Sequence, residues 1–116
     1  MNERDKILLL NIRGEVEFLL EVVESHDSEY FLNDKQLQYV ASMVLIKIGE
    51  SVKSLSKDIK QKNQEIEWRE IAGFRDIAVH NYDGLRMIDV WEIVTEDTPK
   101  LLEQVKDLLN AEGVEE

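Results

Sequence analysis

Apolar side chains recur every three or four residues over most of the chain, the spacing that places them on one face of an α-helix. The first such stretch predicts a helix over residues 5–25. Its predicted buried stripe consists of Leu8, Ile12, Val16, Leu19 and Val23. The polar stretch SHDSEYFLND then breaks the period. Because its residues favour turns, we expect a loop there.

The middle of the chain predicts two further helices. Asp34 is a candidate N-cap for the second, which the apolar period extends to about Lys62. Its predicted buried face consists of Leu37, Val40, Val44, Ile48, Val52 and Leu55. Gly49 lies inside this helix at a cost of about 1 kcal/mol relative to alanine, and would permit a close helix crossing. After KNQE, a third helix is predicted from about Glu67 to His80, with Trp68, Ile71, Phe74, Ile77 and Ala78 as its apolar members.

The remaining residues predict one more helical segment after the turn-forming NYDG. It covers residues 86–110, and Pro99 either kinks it or restarts it with Thr98 as the cap. Its core-facing side chains are expected to be Ile88, Trp91, Val94, Leu101, Val105 and Leu108. The tail AEGVEE is expected to fray. No segment alternates as a half-buried strand does, so residues 1–116 predict a single all-α domain, an antiparallel bundle of four or five helices.

Composition narrows the possible functions. The chain has no cysteine, which excludes disulfides and thiolate metal sites, and no other metal site or cofactor is expected. It shows no signal peptide and no membrane-spanning run, so we expect a cytoplasmic protein. The net charge of −11 argues against a general nucleic-acid-coating protein. Only residues 35–82 carry a net positive charge, with eight basic and six acidic side chains, so a polyanion is expected to bind there if anywhere.

The stretch RDIAVHNY, residues 75–82, carries the candidate chemistry. Arg75 and Tyr82 lie on one helical stripe, His80 lies about 140° around from Arg75, and Asp76 and His80 are neighbours four residues apart. A histidine can move protons near neutral pH, and an arginine fork can bind phosphate oxygens. These residue types therefore suit metal-independent phosphodiester cleavage, with Asp76 orienting His80 and a two-fold dimer supplying a second histidine.

The same spacing is also typical of an ordinary helix end, with Arg75 and Asp76 on the surface and His80 favoured by the helix dipole. Lys53, Lys57 and Lys60 form one predicted helical stripe, either a track for RNA phosphates or a solvated face. Trp68 and Trp91 are expected in the core rather than stacked on bases.

With its flanking context, the stretch resembles the HepT-like branch of the HEPN superfamily, the toxin half of the HEPN–MNT toxin–antitoxin pair. Arg75, His80 and Tyr82 match the R-x4-H-x-Y signature. WREIAGFRDIAVHNYDGL, IGESVKSLS, and VWEIV followed by Pro99 are similar to the family's pattern. The likeness covers about residues 35–105.

This resemblance implies an all-α ribonuclease toxin of a type VII toxin–antitoxin pair, active as a homodimer and independent of metal. Arg75 and His80 would be the catalytic pair, with Asp76 as an orienting group and a 2′,3′-cyclic phosphate as the expected product. Tyr82 would receive AMP from a nucleotidyltransferase (MNT-type) antitoxin and so silence the toxin. The alternative is a non-catalytic helical module that binds a nucleotide or a protein in the same cleft.

Overall fold

The computed structural model describes residues 1–114 as an assembly of helices, with no β-strand in that range. The helices are α1 (Glu3–Val23), α2 (Ser28–Leu32), α3 (Lys35–Ser54), α4 (Lys57–Lys62), α5 (Trp68–His80), α6 (Met87–Glu92) and α7 (Thr98–Ala111). A 3-10 turn (Tyr82–Gly84) follows α5, and a π-helical turn (Ile93–Asp97) joins α6 to α7. The predicted all-α bundle is confirmed. The predicted fraying of the tail falls partly on residues 115–116, which lie outside the described residues.

The first helix packs through a stripe close to the predicted one. Asn2 caps α1 by accepting the N–H of Asp5 at 2.7 Å. The buried side chains are Leu9, Ile12, Val16, Leu19 and Val23. Leu8 is only partly buried, so the predicted stripe was one residue off at its first member. The segment expected to be a loop contains the short helix α2, capped by Asp27, and its Phe31 is fully buried against Trp91, with ring centroids 5.0 Å apart.

The second predicted helix is wrong at its C-terminal end. Asp34 does cap α3, accepting the N–H of Leu37 at 3.0 Å, but α3 ends at Ser54. Ser56 begins α4 as its N-cap and is held by the buried carboxylate of Asp5. That carboxylate accepts the Ser56 N–H at 2.9 Å and its hydroxyl at 2.5 Å. The break therefore satisfies a buried carboxylate on α1, a long-range contact that apolar periodicity cannot report.

The last helical segment passes Pro99 without starting anew. Thr98 has helical backbone angles and is not the N-cap of α7, so of the two expectations for Pro99 the restart with Thr98 as the cap is wrong. Its N–H donates to the carbonyl of Ile93, five residues back, and its hydroxyl donates to that of Val94 at 2.6 Å. The wider π turn accommodates a proline, which lacks an N–H and would crowd the preceding turn of an α-helix.

The core lies along α3, which packs against both α1 and α5, while α1 also packs against α7. Val94, Leu101, Val105 and Leu108 are buried as predicted. Ile77 and Ile88 are exposed instead, which corrects two predicted core positions. Within the described chain, other helices do not cover these two side chains. The regular spacing of apolar residues therefore extends beyond the buried face of each helix. No helix among the described residues is long and apolar enough to cross a membrane.

Candidate active site

Arg75 lies where α5 crosses α3, directly over Gly49. A Cβ added to Gly49 would overlap the Cβ of Arg75 and come within 3.1 Å of the carbonyl oxygen of Ile71. Only a residue without a side chain allows the two backbones to come this close. The close crossing expected at Gly49 is thus confirmed, and it seats the stem of Arg75 on the backbone of α3.

Two carboxylates bind the guanidinium of Arg75. Its Nη1 donates to Oδ1 of Asp76 at 3.1 Å, and its Nη2 lies 3.4 Å from Oε1 of Glu50 on α3. The Nε is buried and has no hydrogen-bond partner among the described residues. The Cβ and Cγ of Arg75 lie against Gly49, and the side chain as a whole is 25 % exposed.

Asp76 bonds to Lys53, not to His80. The Lys53 ammonium donates to Oδ1 of Asp76 at 2.7 Å, the same oxygen that Arg75 contacts. The Lys53 ammonium, and after it the Arg75 guanidinium, hold the pKa of the Asp76 carboxyl below its ordinary value. Sequence spacing paired Asp76 with His80 on one helix, but a cation on the neighbouring helix takes its place. We call Glu50, Lys53, Arg75 and Asp76 the Arg75 cluster.

His80 is the last residue of α5, and its side chain is exposed. It lies five residues beyond Arg75, about 7.5 Å further along the helix axis. The N–H of Asn81 closes the helix by donating to the carbonyl of Ile77 at 2.8 Å. The imidazole is therefore at the C-terminal end of α5 and is open to a substrate.

Tyr82 begins the 3-10 turn and stacks on Tyr39 of α3, with ring centroids 5.5 Å apart and planes at 24°. The ammonium of Lys35 lies 5.8 Å from the centroid of the Tyr39 ring. The turn thus fixes the tyrosine two residues after His80 against a second helix.

An open groove runs beside Tyr82 along α1 and α3. We call it the Tyr82 groove; its apolar lining includes Phe18, Tyr39, Val40, Met43 and Tyr82. Met43 is 56 % exposed, and Phe18 and Tyr39 are similarly open. An apolar surface of this kind next to polar residues is typical of a contact surface.

The three lysines do not form one stripe. Lys53 belongs to α3, whereas Lys57 and Lys60 belong to α4 beyond the break at Ser56. The prediction of a single helical track is wrong for that reason, and only Lys53 reaches the Arg75 cluster.

Two members of the site were missed by sequence reasoning, Glu50 and Tyr39. Glu50 adjoins the glycine at the crossing and lies three residues before Lys53, so a crossing at Gly49 could have identified it. Tyr39 lies four residues after Lys35 on α3, and a large aromatic side chain that stays about half exposed is a usable signal.

Comparison with known proteins adds an independent result. Residues 12–108 match the family described as "Ribonuclease HepT-like". A Caldanaerobacter subterraneus subsp. tengcongensis protein named "Putative RNase" is 38 % identical over 104 residues, covering 90 % of this chain and 93 % of that protein. A Thermococcus cleftensis protein named "Probable ribonuclease HepT" is 36 % identical over 101 residues, covering 87 % of this chain and 92 % of that protein. No solved structure gives a significant match.

Proposed function

The chain belongs to the HepT-like ribonuclease family, and from that premise we propose that it is a metal-independent endoribonuclease acting at Arg75 and His80. The observation that carries the proposal is the close contact of Arg75 with Gly49, which fixes a partly exposed arginine on the helix that ends at the exposed His80. A fixed guanidinium loses little entropy on binding phosphate.

The RNA supplies its own nucleophile in this reaction. The 2′-oxygen forms a bond to phosphorus while the bond from phosphorus to the 5′-oxygen breaks, leaving a 2′,3′-cyclic phosphate and a 5′-hydroxyl. His80 exchanges the proton of the 2′-hydroxyl or of the leaving oxygen, and Arg75 stabilises the charge on the phosphate oxygens.

A homodimer would bring a second His80 to the same cleft, so that one histidine acts as base and the other as acid. Two exposed apolar features support such a contact. Ile77, 58 % exposed, and Val79 flank the candidate site on α5, and the Tyr82 groove adds Phe18 and Met43. Burying these side chains in a second copy would remove apolar surface from water.

Tyr82 is the proposed point of control by an MNT-type nucleotidyltransferase antitoxin in the cytoplasm. In AMP transfer, the tyrosyl oxygen replaces pyrophosphate on the α-phosphorus of ATP. The product places a bulky anion two residues after His80, where it competes with the substrate phosphate for Arg75. Lys57 and Lys60 on α4 are proposed as outer contacts to RNA phosphates.

Growth after induced expression tests the proposal, comparing wild type with His80→Ala and taking the intact mass of the purified wild-type protein. We expect growth arrest from the wild type only. A mass increase by AMP units in a harmless wild type would mean that Tyr82 had been modified and the toxin silenced. No arrest from either form, with unmodified protein, would contradict the proposal.

A second candidate is a non-catalytic module that binds a nucleotide or a protein, favoured by the net charge of −11 and the apolar Tyr82 groove. His80→Ala separates the two, because a binding module would keep its partner while a nuclease would lose its activity.

A further inference from the structure

One carboxylate oxygen joins two cations from different helices at the candidate site. Oδ1 of Asp76 accepts from Nζ of Lys53 at 2.7 Å and from Nη1 of Arg75 at 3.1 Å. The distance between Nζ of Lys53 and Nη1 of Arg75 therefore cannot exceed the sum of these two hydrogen-bond lengths. Two cationic donors that share one carboxylate oxygen could equally share one phosphate group, whose oxygens accept the same bonds.

We propose that Lys53 and Arg75 form a two-cation clamp for a single substrate phosphate, with Asp76 as the positioning residue that holds the pair at this spacing. This rests on the proposed function, since it names the side chains that hold the scissile phosphate. It also changes the part played by Asp76, which organises the cations of the site rather than orienting His80.

Glu50 is the competing anion within this clamp. The Arg75 cluster contains two cations and two carboxylates, so in the free chain its charges balance. The contact from Glu50 to Arg75, at 3.4 Å, is the longest of the three, and the Glu50 side chain is 55 % exposed. Incoming phosphate therefore displaces Glu50 most easily and takes over Nη2, while Asp76 keeps its bond to Lys53.

Among the lysines of the described chain, only Lys53 forms an ion pair with a carboxylate of the Arg75 cluster. Lys62, the last residue of α4, lies beyond the break at Ser56, is exposed, and has no ion pair within the described chain. Lys62→Met is thus a matched control for Lys53→Met, because both changes remove one exposed charge but only the second opens the clamp. Lys53→Arg keeps a cation at the position and serves as the conservative variant.

The test is a titration of the 116-residue chain with inorganic phosphate, monitored through the NMR shift of the Arg75 Nε–H. That hydrogen is a suitable reporter because its nitrogen is buried and has no partner among the described residues. We expect Lys53→Met to weaken phosphate binding roughly 10- to 100-fold, the effect of losing one charge-assisted hydrogen bond. Lys62→Met should change phosphate binding by less than about twofold, and Lys53→Arg should restore most of it. Glu50→Gln should tighten it by roughly two- to fivefold.

Equal effects of Lys53→Met and Lys62→Met would overturn the clamp, because general electrostatics would then explain both. The clamp would also be overturned if phosphate did not change the Arg75 Nε–H shift of the wild type. Weaker phosphate binding by Glu50→Gln than by the wild type would contradict it as well. RNA cleavage assays separate this from the proposed function. If RNA cleavage depends on His80 but not on Lys53, the clamp is contradicted and the proposed nuclease is not. If phosphate binding depends on Lys53 but the protein never cuts RNA, the proposed nuclease is contradicted and the clamp is not.

Discussion

Helix α3 makes two very different contacts, with α1 and with α5. Toward α1 the contact is an apolar stripe in which Leu9, Ile12 and Val16 are fully buried. Toward α5 it is a glycine beneath an arginine, with Glu50 and Lys53 reaching across to Arg75 and Asp76. The first contact gives the bundle its stability, and the second gives it a candidate site at an accessible surface.

Truncating the apolar contact should have the largest effect on stability and the smallest on phosphate binding. Leu19→Ala removes a fully buried side chain of α1 and should lower the free energy of unfolding by about 2–5 kcal/mol. Urea unfolding measures that loss. Phosphate affinity of the folded fraction should stay unchanged, and a matching loss of affinity would mean that the two contacts are not separate.

Adding one methyl group at the other contact should cost less stability but disable the site. Gly49→Ala places a Cβ in overlap with Arg75 and should destabilise the fold by about 1–3 kcal/mol, since the helices must separate or Arg75 must shift. Gly73→Ala on α5 is the control, because a Cβ there meets nothing within 4 Å. We expect this control to gain up to about 1 kcal/mol from helix propensity. Full RNA cleavage by Gly49→Ala would break the link between the crossing and the site.

Charge on the exposed face of α5 should change assembly and leave the protomer intact. Ile77→Glu alters a side chain that is mostly exposed, so the unfolding free energy of the isolated protomer should move by less than about 0.5 kcal/mol. By sedimentation, we expect the wild type to have the mass of the proposed dimer and Ile77→Glu the mass of a monomer. Lys57→Glu, also on the exposed surface, is the control and should not change the mass. A dimer that persists in Ile77→Glu would place the contact elsewhere.

The smallest effect should come from acid titration of Asp76. Its lowered pKa means that its ionised form stabilises the fold at pH above the ordinary aspartate value, and that this contribution fades as pH falls through the folded value. Unfolding of wild type and Asp76→Asn should therefore differ slightly near neutrality and converge at low pH. In a Lys53→Met background the difference should shrink, because Lys53 is the main cause of the shift. A difference that grew in acid would reverse the sign and contradict the assignment.

The apolar contact could be predicted from the sequence, and the charged one only in part. The regular spacing of apolar residues was enough to locate α1, α3 and α5 and most of their buried faces, because the buried face of a helix takes apolar side chains at that spacing. It failed at Ile77 and Ile88, where apolar residues stay exposed, and at Ser56, where a carboxylate on α1 ends a helix.

The candidate site could likewise be predicted from the sequence only in part. Arg75, Asp76, His80 and Tyr82 could be identified because they follow one another in a single short stretch. Their partners Glu50, Lys53 and Tyr39 come from α3, and helical spacing on α5 cannot say what faces it from another helix. Spacing placed Asp76 beside His80, whereas the structure shows that a lysine from the neighbouring helix binds it.

Cleavage of end-labelled RNA by purified wild type, Arg75→Ala and His80→Ala tests the central claim most directly. The assay is run with a chelator present, and the new ends are identified by mass spectrometry. We predict that the wild type cuts RNA with metal removed and leaves 2′,3′-cyclic phosphates, while both variants lose at least about a hundredfold in rate. Cleavage that survives in both variants, or that leaves only 3′-hydroxyl ends, would contradict the account.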